Sequence, residues 1–383
     1  MADIRPPVRG AGRAGGAPRR AGRFRRGLAA LAAGTVLLSG CASGPPPRLH
    51  FGMEEAPEGK RVLFPPQPEV PRYIYAGQLT GEGNFKRQEG AGDTAGTVWR
   101  WITGLVAGET APTVLQRPQA GVVDERGRIY VTDVSRGGVF VFDEQAGELL
   151  VWEQADGLKR FQAPIGIALG PEGTVFVADA ELALVARLDA KGNPLRPVGK
   201  GILKRPTGLA YDPARQQLYV ADTYGHDIKV FDAEGRLERT IGSRGEGAEQ
   251  LNFPTHIALA NGELYVSDTM NARIEVLEAD TGSAVRNIGA RGLTVGSLVR
   301  PKGVAVDSEG NVYVVESYYD HLLVFNRRGE FLMPIGGVGQ ETGKFYLPAG
   351  VWVDGRNRVF VADMFNGRVM VFQFLGGEAE SQE

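Results

Sequence analysis

The chain has 383 residues, 43% of them hydrophobic, which is enough to build a sizeable core. Its formal net charge is −2, but residues 1–40 hold eight arginines and one acid; removing that balance of +7 from −2 leaves −9 for the rest. An acidic chain of this kind lacks the basic face that neutralises phosphates, which argues against nucleic acid as a partner.

Residues 1–40 are predicted to be a processing signal and not part of the fold. An arginine-rich start precedes an apolar run from Gly27 to Leu38, which is short of the roughly 20 residues that a membrane-spanning helix needs. The run ends on Leu38-Ser39-Gly40-Cys41, which resembles the bacterial lipobox. The resemblance implies that Cys41, the single cysteine, is acylated and anchors the protein to a membrane. In such lipoproteins, Ala42 after the cysteine favours the outer membrane of the cell envelope, on its periplasmic or surface side.

Residues 41–71 are predicted to be a linker. Eight prolines lie in residues 42–71, among them Pro45-Pro46-Pro47 and Pro65-Pro66. Because proline-rich chain prefers extended polyproline geometry, the segment is expected to act as a semi-rigid stalk above the lipid.

The remainder of the chain repeats six times. Similar segments open, at spacings of 46, 42, 48, 47 and 47 residues, on Pro118, Pro164, Pro206, Pro254, Pro301 and Pro348. An acid follows each proline after 14 to 16 residues: Asp133, Asp179, Asp222, Asp268, Glu316 and Asp363. Periods of this length are typical of propellers and solenoids.

Each copy predicts four short strands separated by tight turns. In the fifth copy, Gly303 to Asp307, Val312 to Val315 and Leu322 to Phe325 are rich in strand-forming residues and are divided by glycine-containing turns. Apolar residues occupy both the odd and the even positions of the middle strands, so both faces of each small sheet should be buried. The sequence therefore predicts an all-β fold over residues 117–375, a six-bladed β-propeller of four-stranded antiparallel blades.

The sixth copy lacks a fourth strand, and its partner is found at the other end of the domain. Residues 72–84 begin Arg72-Tyr73-Ile74-Tyr75, which matches the fourth strand of copy three, so this segment is predicted to close the last blade. Residues 85–116 are an insertion in which Thr97 to Val106 has helical apolar spacing, for packing on a rim or for docking a partner. Residues 376–383 are predicted to be a disordered tail.

The copies resemble the NHL repeat family. Copy four reads Val266-Ser267-Asp268-Thr269-Met270-Asn271-Ala272-Arg273-Ile274, close to that family's pattern of Val-Tyr-Val-Ala-Asp-Thr followed by Asn-x-Arg-Ile. Copies one and two depart from it at the Asn-x-Arg stretch. The resemblance implies a six-bladed propeller.

The same resemblance bears on catalysis. Amidating lyases of this family bind zinc on the propeller axis through histidines directly after the blade-opening prolines of three blades. The six corresponding positions here hold Gln119, Ile165, Thr207, Thr255, Lys302 and Ala349. A catalytic zinc needs three protein ligands, so no metal, cofactor or catalytic residue is assigned.

The mouth of the propeller axis is a second candidate site. Thr207, Thr255, His256 and Lys302 are the candidate residues there, and His256 stands where most other copies have glycine. The alternative function is therefore a propeller lyase or a lactonase-like hydrolase with His256 as the base. Sporadic surface or turn histidines are the competing interpretation.

The repeated acids and the loops behind them predict different roles. One acid at each strand end is expected to accept bonds from backbone N–H groups of the turn, since six dispersed carboxylates do not converge on one calcium ion. Two residues after the acid, copies three to six carry side chains that should be exposed on one face. We call this predicted binding face the contact crescent, and it comprises Tyr224, Met270, Tyr318 and Phe365 with the neighbouring Tyr319 and Met364. Exposed apolar clusters mark interaction sites, so the sequence favours a binding scaffold for an envelope protein, peptide or glycan over an enzyme.

Overall fold

In the computed structural model of the protein, the described residues are 47–52, 61–86 and 112–376. They form β strands joined by turns, with short 3-10 segments as the helical elements, at Glu82–Asn84, Pro171–Gly173, Thr269–Asn271 and Met364–Asn366. Within these ranges, no helix is long and apolar enough to cross a membrane. The predicted signal, Cys41, the Thr97–Val106 helix and the tail after residue 376 lie outside the described residues.

The strands form six antiparallel sheets arranged as blades. From the axis outward, the strands of blade one are Pro118–Val123, Ile129–Asp133, Gly138–Asp143 and Glu148–Trp152. The strands of blade three are Pro206–Asp212, Gln217–Asp222, Asp227–Phe231 and Leu237–Ile241. The strands of blade four are Pro254–Ala260, Glu263–Asp268, Arg273–Glu278 and Ala284–Ile288. The strands of blade five are Pro301–Val306, Val312–Glu316, His321–Phe325 and Phe331–Gly336. The predicted six-bladed all-β propeller is confirmed.

Blade two is thinner than predicted. Its strands are Pro164–Leu169, Val175–Asp179 and Leu184–Leu188, and in place of a fourth strand two isolated bridges join Val185 to Val198 and Leu188 to Pro194. The departure has a local cause, because Pro194 and Pro197 cannot donate the backbone hydrogen bonds of a regular outer strand.

The core lies between neighbouring blades. Every residue of Ile129–Asp133, Val175–Asp179 and Val312–Glu316 is buried, which is the two-sided burial that the apolar pattern predicted. The buried side chains form clusters that each draw on adjacent blades, such as Tyr265 and Ile274 of blade four with Val314 of blade five. Removal of apolar surface from water on both faces of each sheet stabilises the ring.

The N-terminal strand closes the ring as predicted. Tyr73–Leu79 pairs antiparallel with Arg368–Phe374, which follows Arg358–Asp363 and Val351–Val353 in blade six. The Tyr73 hydroxyl also lies 3.1 Å from the Tyr313 hydroxyl of blade five. The two ends of the domain are therefore joined by a strand pair instead of a covalent bond.

The predicted linker of residues 41–71 is not a free stalk over its described parts. Leu63–Phe64 adds a fifth strand to blade six by pairing with Tyr73–Leu79, and Arg48–Leu49 pairs with Phe85–Lys86 of the predicted insertion. The Phe51 ring packs 6.5 Å from the Phe360 ring. The stalk prediction weighed the prolines and missed the apolar residues between them, whose burial on the blades outweighs the preference for extended, solvated chain.

Candidate functional site: the upper face and the axial mouth

One end of the propeller, the upper face, carries the turns between second and third strands and the loops that enter each blade. The blade acids lie beneath this face as hydrogen-bond acceptors. Asp133 accepts the backbone N–H groups of residues 116, 117, 135 and 136 at 2.6 to 3.0 Å, and Glu316 accepts those of residues 299, 300 and 318. The predicted structural role of the acids is confirmed, and each acid ties the loop entering its blade to the turn that follows.

Blades four and six add a largely buried arginine to this arrangement. Asp268 accepts bonds from Asn271 Nδ2 at 2.6 Å and from Arg273 Nε at 2.9 Å. The Arg273 guanidinium also donates hydrogen bonds to the carbonyl oxygen atoms of residues 247 and 250 in the loop that enters blade four. The Asn-x-Arg stretch of the repeat therefore fixes the loop that shapes the upper face.

The structure places four of the six predicted crescent residues in solvent. Tyr224, Met270, Tyr318 and Phe365 expose 53%, 55%, 56% and 44% of their surface. Tyr319 and Met364 are only partly exposed, and the Tyr319 ring packs edge-on against Tyr318 with 5.0 Å between centroids. Since all six belong to turns between second and third strands, they lie on the upper face of blades three to six.

Entering loops enlarge this surface with apolar residues that the sequence reasoning missed. Leu293, Val295 and Val338 expose 87%, 64% and 69% of their surface. Between blades four and five, Leu293 and Val295 line a cavity of about 80 Å³ together with Tyr319 and His321. The signal was present in the sequence, because the loop 289–298 is apolar at its tip where the equivalent loop 242–251 is charged.

Phe253 supports the crescent at a strained position. Its φ of 55° lies in the left-handed region, which a bulky residue rarely adopts. Its N–H donates to His226 Nδ1 at 3.3 Å, and its ring packs against the rings of His226 and Tyr224 at 4.4 and 6.1 Å between centroids. His226 therefore has a structural role in a turn, which agrees with the interpretation of scattered turn histidines.

An arginine enters every second blade. The residue before the blade-opening proline is Arg117, Arg205 and Arg300 in blades one, three and five, and it is apolar in the others. Arg117 lies over the Phe365 ring at 4.8 Å and Arg205 over the Tyr224 ring at 5.2 Å, so two of them brace crescent aromatics. This alternation is visible in the sequence, because the arginine stands directly before the blade-opening proline in each case.

Two of the four predicted axial residues have structural roles. Thr207 Oγ1 lies 2.8 Å from Thr223 Oγ1, which donates to the Pro254 carbonyl oxygen of the next blade at 2.7 Å. Thr255 Oγ1 likewise lies 2.8 Å from Thr269 Oγ1, which bonds Pro301 O at 2.8 Å. These hydroxyl groups connect neighbouring blades.

His256 and Lys302, the other two, have no such partners. Neither ring nitrogen of His256 makes a hydrogen bond within the described part of the chain. Burial, with a smaller contribution from the Lys302 charge, lowers the pKa of His256 to about 3. No group of three or more His, Cys, Asp or Glu side chains that could hold a metal is found among the described residues.

Comparison with known proteins agrees with this architecture. A family described as 6-bladed beta-propeller matches residues 212–288 and 298–383. The chain is 32% identical over 137 residues to Protein brain tumor of Drosophila melanogaster, covering 35% of this chain and 13% of that protein. It is 31% identical over 155 residues to NHL repeat-containing protein 2 of Bos taurus, covering 32% of this chain and 21% of that protein. The aligned part is thus about a fifth or less of each relative.

A solved structure of similar fold is a gluconolactonase from Xanthomonas campestris. It superposes with a TM-score of 0.53 at 16% identity, over 68% of this chain and 86% of that one. At this identity the likeness concerns the fold alone. The chain is a six-bladed β-propeller, and part of it is similar in sequence to NHL repeat-containing protein 2.

Proposed function

We propose that this chain is a lipid-anchored binding module of the cell envelope, which captures a protein or peptide partner on the contact crescent. The observation that carries the proposal is the exposure of Tyr224, Met270, Tyr318 and Phe365 on one face, in consecutive blades. Exposed apolar clusters of this kind mark interaction sites, and aromatic side chains and methionine are enriched at the centres of interfaces.

The shape of the crescent favours a protein or peptide over a glycan. The cavity of about 80 Å³ beside Tyr319 is walled by Leu293 and Val295, and its size suits one apolar side chain. Protein partners supply such anchoring side chains, which fill pockets at the centre of an interface. Sugars present mostly hydroxyl groups and would leave an apolar pocket of this size poorly filled.

The N-terminal segment supports an anchor on the opposite, lower face. Pro47 packs against Gly147, in the turn between third and fourth strands of blade one, and those turns lie at the end of the propeller away from the crescent. Pro47 follows Cys41 by six positions, so an acylated Cys41 would hold this face within about 20 Å of the lipid. The contact crescent would then face away from the membrane, open to a partner.

Catalysis at the axial mouth is the weaker alternative. A general base works best when its pKa lies near the working pH, whereas burial holds the pKa of His256 at about 3. Among the described residues no carboxylate bonds to a His256 nitrogen to orient it. A lyase or lactonase-like activity would require these properties to change on substrate binding.

The test compares partner capture by the full-length chain and two double variants, all purified in a non-ionic detergent. Wild-type protein is expected to retain a defined set of envelope proteins, and Tyr224→Ala with Phe365→Ala is expected to lose them. The matched control removes exposed apolar residues from outer strands, Leu237→Ala with Val285→Ala, and should bind as wild type does. Equal capture by all three proteins would refute the crescent as the binding face.

The anchor and the alternative activity are tested separately. Cys41→Ser is expected to abolish labelling with radioactive palmitate and to release the protein from the membrane fraction. Metal analysis of the wild-type protein, together with lactone and peptide cleavage assays on wild type and His256→Ala, addresses the enzyme. Turnover that depends on His256 would support the alternative function over the binding module.

A further inference from the structure

Arginine side chains lie beside the exposed residues of the contact crescent. The guanidinium carbon of Arg205 is 5.2 Å from the centroid of the Tyr224 ring, and that of Arg117 is 4.8 Å from the centroid of the Phe365 ring. A guanidinium that lies over a ring keeps its N–H groups at its own edge, where they can still donate hydrogen bonds. Each of these two aromatic residues therefore presents an apolar ring and a cation side by side.

Met270 of blade four has the same kind of neighbour. Arg291 Nη2 donates to the Met270 carbonyl oxygen at 2.7 Å, which holds this arginine at the edge of the turn. A guanidinium has five N–H donors, and this bond uses one of them. Leu293, two residues after Arg291, exposes 87% of its surface. Apolar and cationic groups thus lie together in three of the four blades of the crescent.

These arginines lack the acidic partners that arginines have at the other end of the propeller. In turns of the lower face, three arginines each pair with the aspartate four residues earlier, at 2.6 to 2.8 Å: Arg128, Arg236 and Arg358. Among the described residues, Arg117 and Arg291 form no ion pair, and Arg205 pairs with Glu181, which is itself largely exposed. The guanidinium groups beside the crescent are therefore open to a carboxylate from a partner.

The loops that enter blades three to six also hold more free cations than exposed acids. Within the described ranges, their exposed cations without an ion pair are Lys204, Arg244, Arg291, Arg300 and Lys344. The exposed acids of the same loops are Glu246, Glu249 and Glu341. The turns of the crescent add no exposed acid, since Asp320 is buried and accepts a backbone N–H at 2.6 Å. The surroundings of the crescent therefore favour a negatively charged partner.

We propose that the contact crescent binds an acidic segment of a protein partner, in which aspartate or glutamate stands next to aromatic or aliphatic residues. The apolar side chains pack on the crescent and enter the cavity beside Tyr319, and the carboxylates accept paired bonds from the neighbouring guanidinium groups. Since the apolar contacts exclude water, they strengthen the ion pairs next to them. The inference rests on the binding role proposed above and adds the chemistry of the partner.

A library of short random peptides displayed on phage tests this chemistry, with the full-length chain immobilised in a non-ionic detergent. Peptides retained by the wild type are compared with those retained by Tyr224→Ala with Phe365→Ala, so that only binding that depends on the crescent is counted. Relative to the unselected library, we expect the crescent-dependent peptides to be enriched in aspartate and glutamate together with leucine and aromatic residues.

One selected peptide is then measured by fluorescence anisotropy. Arg117→Gln with Arg291→Gln is expected to weaken its binding about tenfold, and so is replacement of the peptide's acids by the corresponding amides. The matched control Arg236→Gln with Arg328→Gln removes the same charge from turns of the lower face, and should bind the peptide as wild type does. A rise in salt from about 50 mM to about 500 mM should weaken binding to the wild type more than to the Arg117 and Arg291 variant.

A double-variant cycle separates contact with the peptide from a purely structural role of the arginines. If the peptide's carboxylates bind Arg117 and Arg291, the amide peptide should lose little further affinity when both arginines are replaced, so the two losses are not additive. Additive losses would mean that the arginines only hold the crescent in shape, and would overturn the proposal.

Three other results also overturn the proposal, and they are distinguishable from one another. Crescent-dependent peptides without an excess of acidic residues would refute the acidic partner and leave the binding role intact. The absence of any crescent-dependent peptide would refute the proposed function, and this inference with it. Self-association of the chain in sedimentation velocity that is lost in Tyr224→Ala with Phe365→Ala would identify a second copy of the chain as the occupant instead.

Discussion

The acid of blade six offers a direct test of how the upper face is held together. Asp363 is fully buried and accepts three bonds, from Tyr346 N at 2.7 Å, Asn366 Nδ2 at 2.8 Å and Arg368 Nε at 2.8 Å. In the variant Asp363→Ala, these donors lose their acceptor and the Arg368 guanidinium, itself largely buried, loses its counter-charge. Removal of one partner of a buried ion pair costs about 3–5 kcal/mol. We expect the free energy of unfolding to fall by about that amount.

Chemical denaturation of the wild type and variants, followed by tryptophan fluorescence, measures this loss. The control Glu330→Ala breaks an ion pair with Arg328 on the surface and should leave the midpoint of unfolding nearly unchanged. Adding Arg368→Met to Asp363→Ala should cost less than the sum of the two single changes, since the unpaired charge is then removed. If Asp363→Ala unfolds at the same denaturant concentration as Glu330→Ala, the buried acid does not hold the loops as argued.

Two further variants probe the axis and the ring closure. Because burial lowers the pKa of His256 from 6.5 to about 3, the unfolded chain binds a proton below pH 6.5 that the folded chain does not, and stability falls with pH in that window. Between pH 7 and pH 5, the wild type should lose about 2 kcal/mol more than His256→Gln in pH-dependent denaturation, and parallel curves would contradict the assigned burial. Gly77→Ala should lower the melting temperature, because φ at Gly77 is +129° and a Cβ atom there would lie 2.1 Å from the Phe51 carbonyl oxygen. Gly83→Ala, which meets no atom within 4 Å, is the control, and equal melting of the two variants would show that Phe51 does not pack on the closing strand in solution.

The repeat by itself determined the blade number, the strand order and the closing strand. Blades one to five are each built from contacts within about 45 residues, so strand and turn signals recur with the period of the fold and can be read locally. The same regularity located the contact crescent, since a residue two positions after a blade acid always falls in an upper turn. It also gave the acids their structural role.

Only the tertiary structure decided the features that depend on long-range contacts. The packing of Phe51 on Phe360 joins segments that are far apart in sequence, and no local pattern encodes it. The same holds at the axis, where the Thr207–Thr223 pair reaches the Pro254 carbonyl oxygen of the next blade and the His256 ring nitrogens have no partner among the described residues. Short-range periodicity specifies which residues form strands and turns. Whether a buried polar group finds a hydrogen-bond partner depends on the side chains and backbone groups that the closed ring places around it.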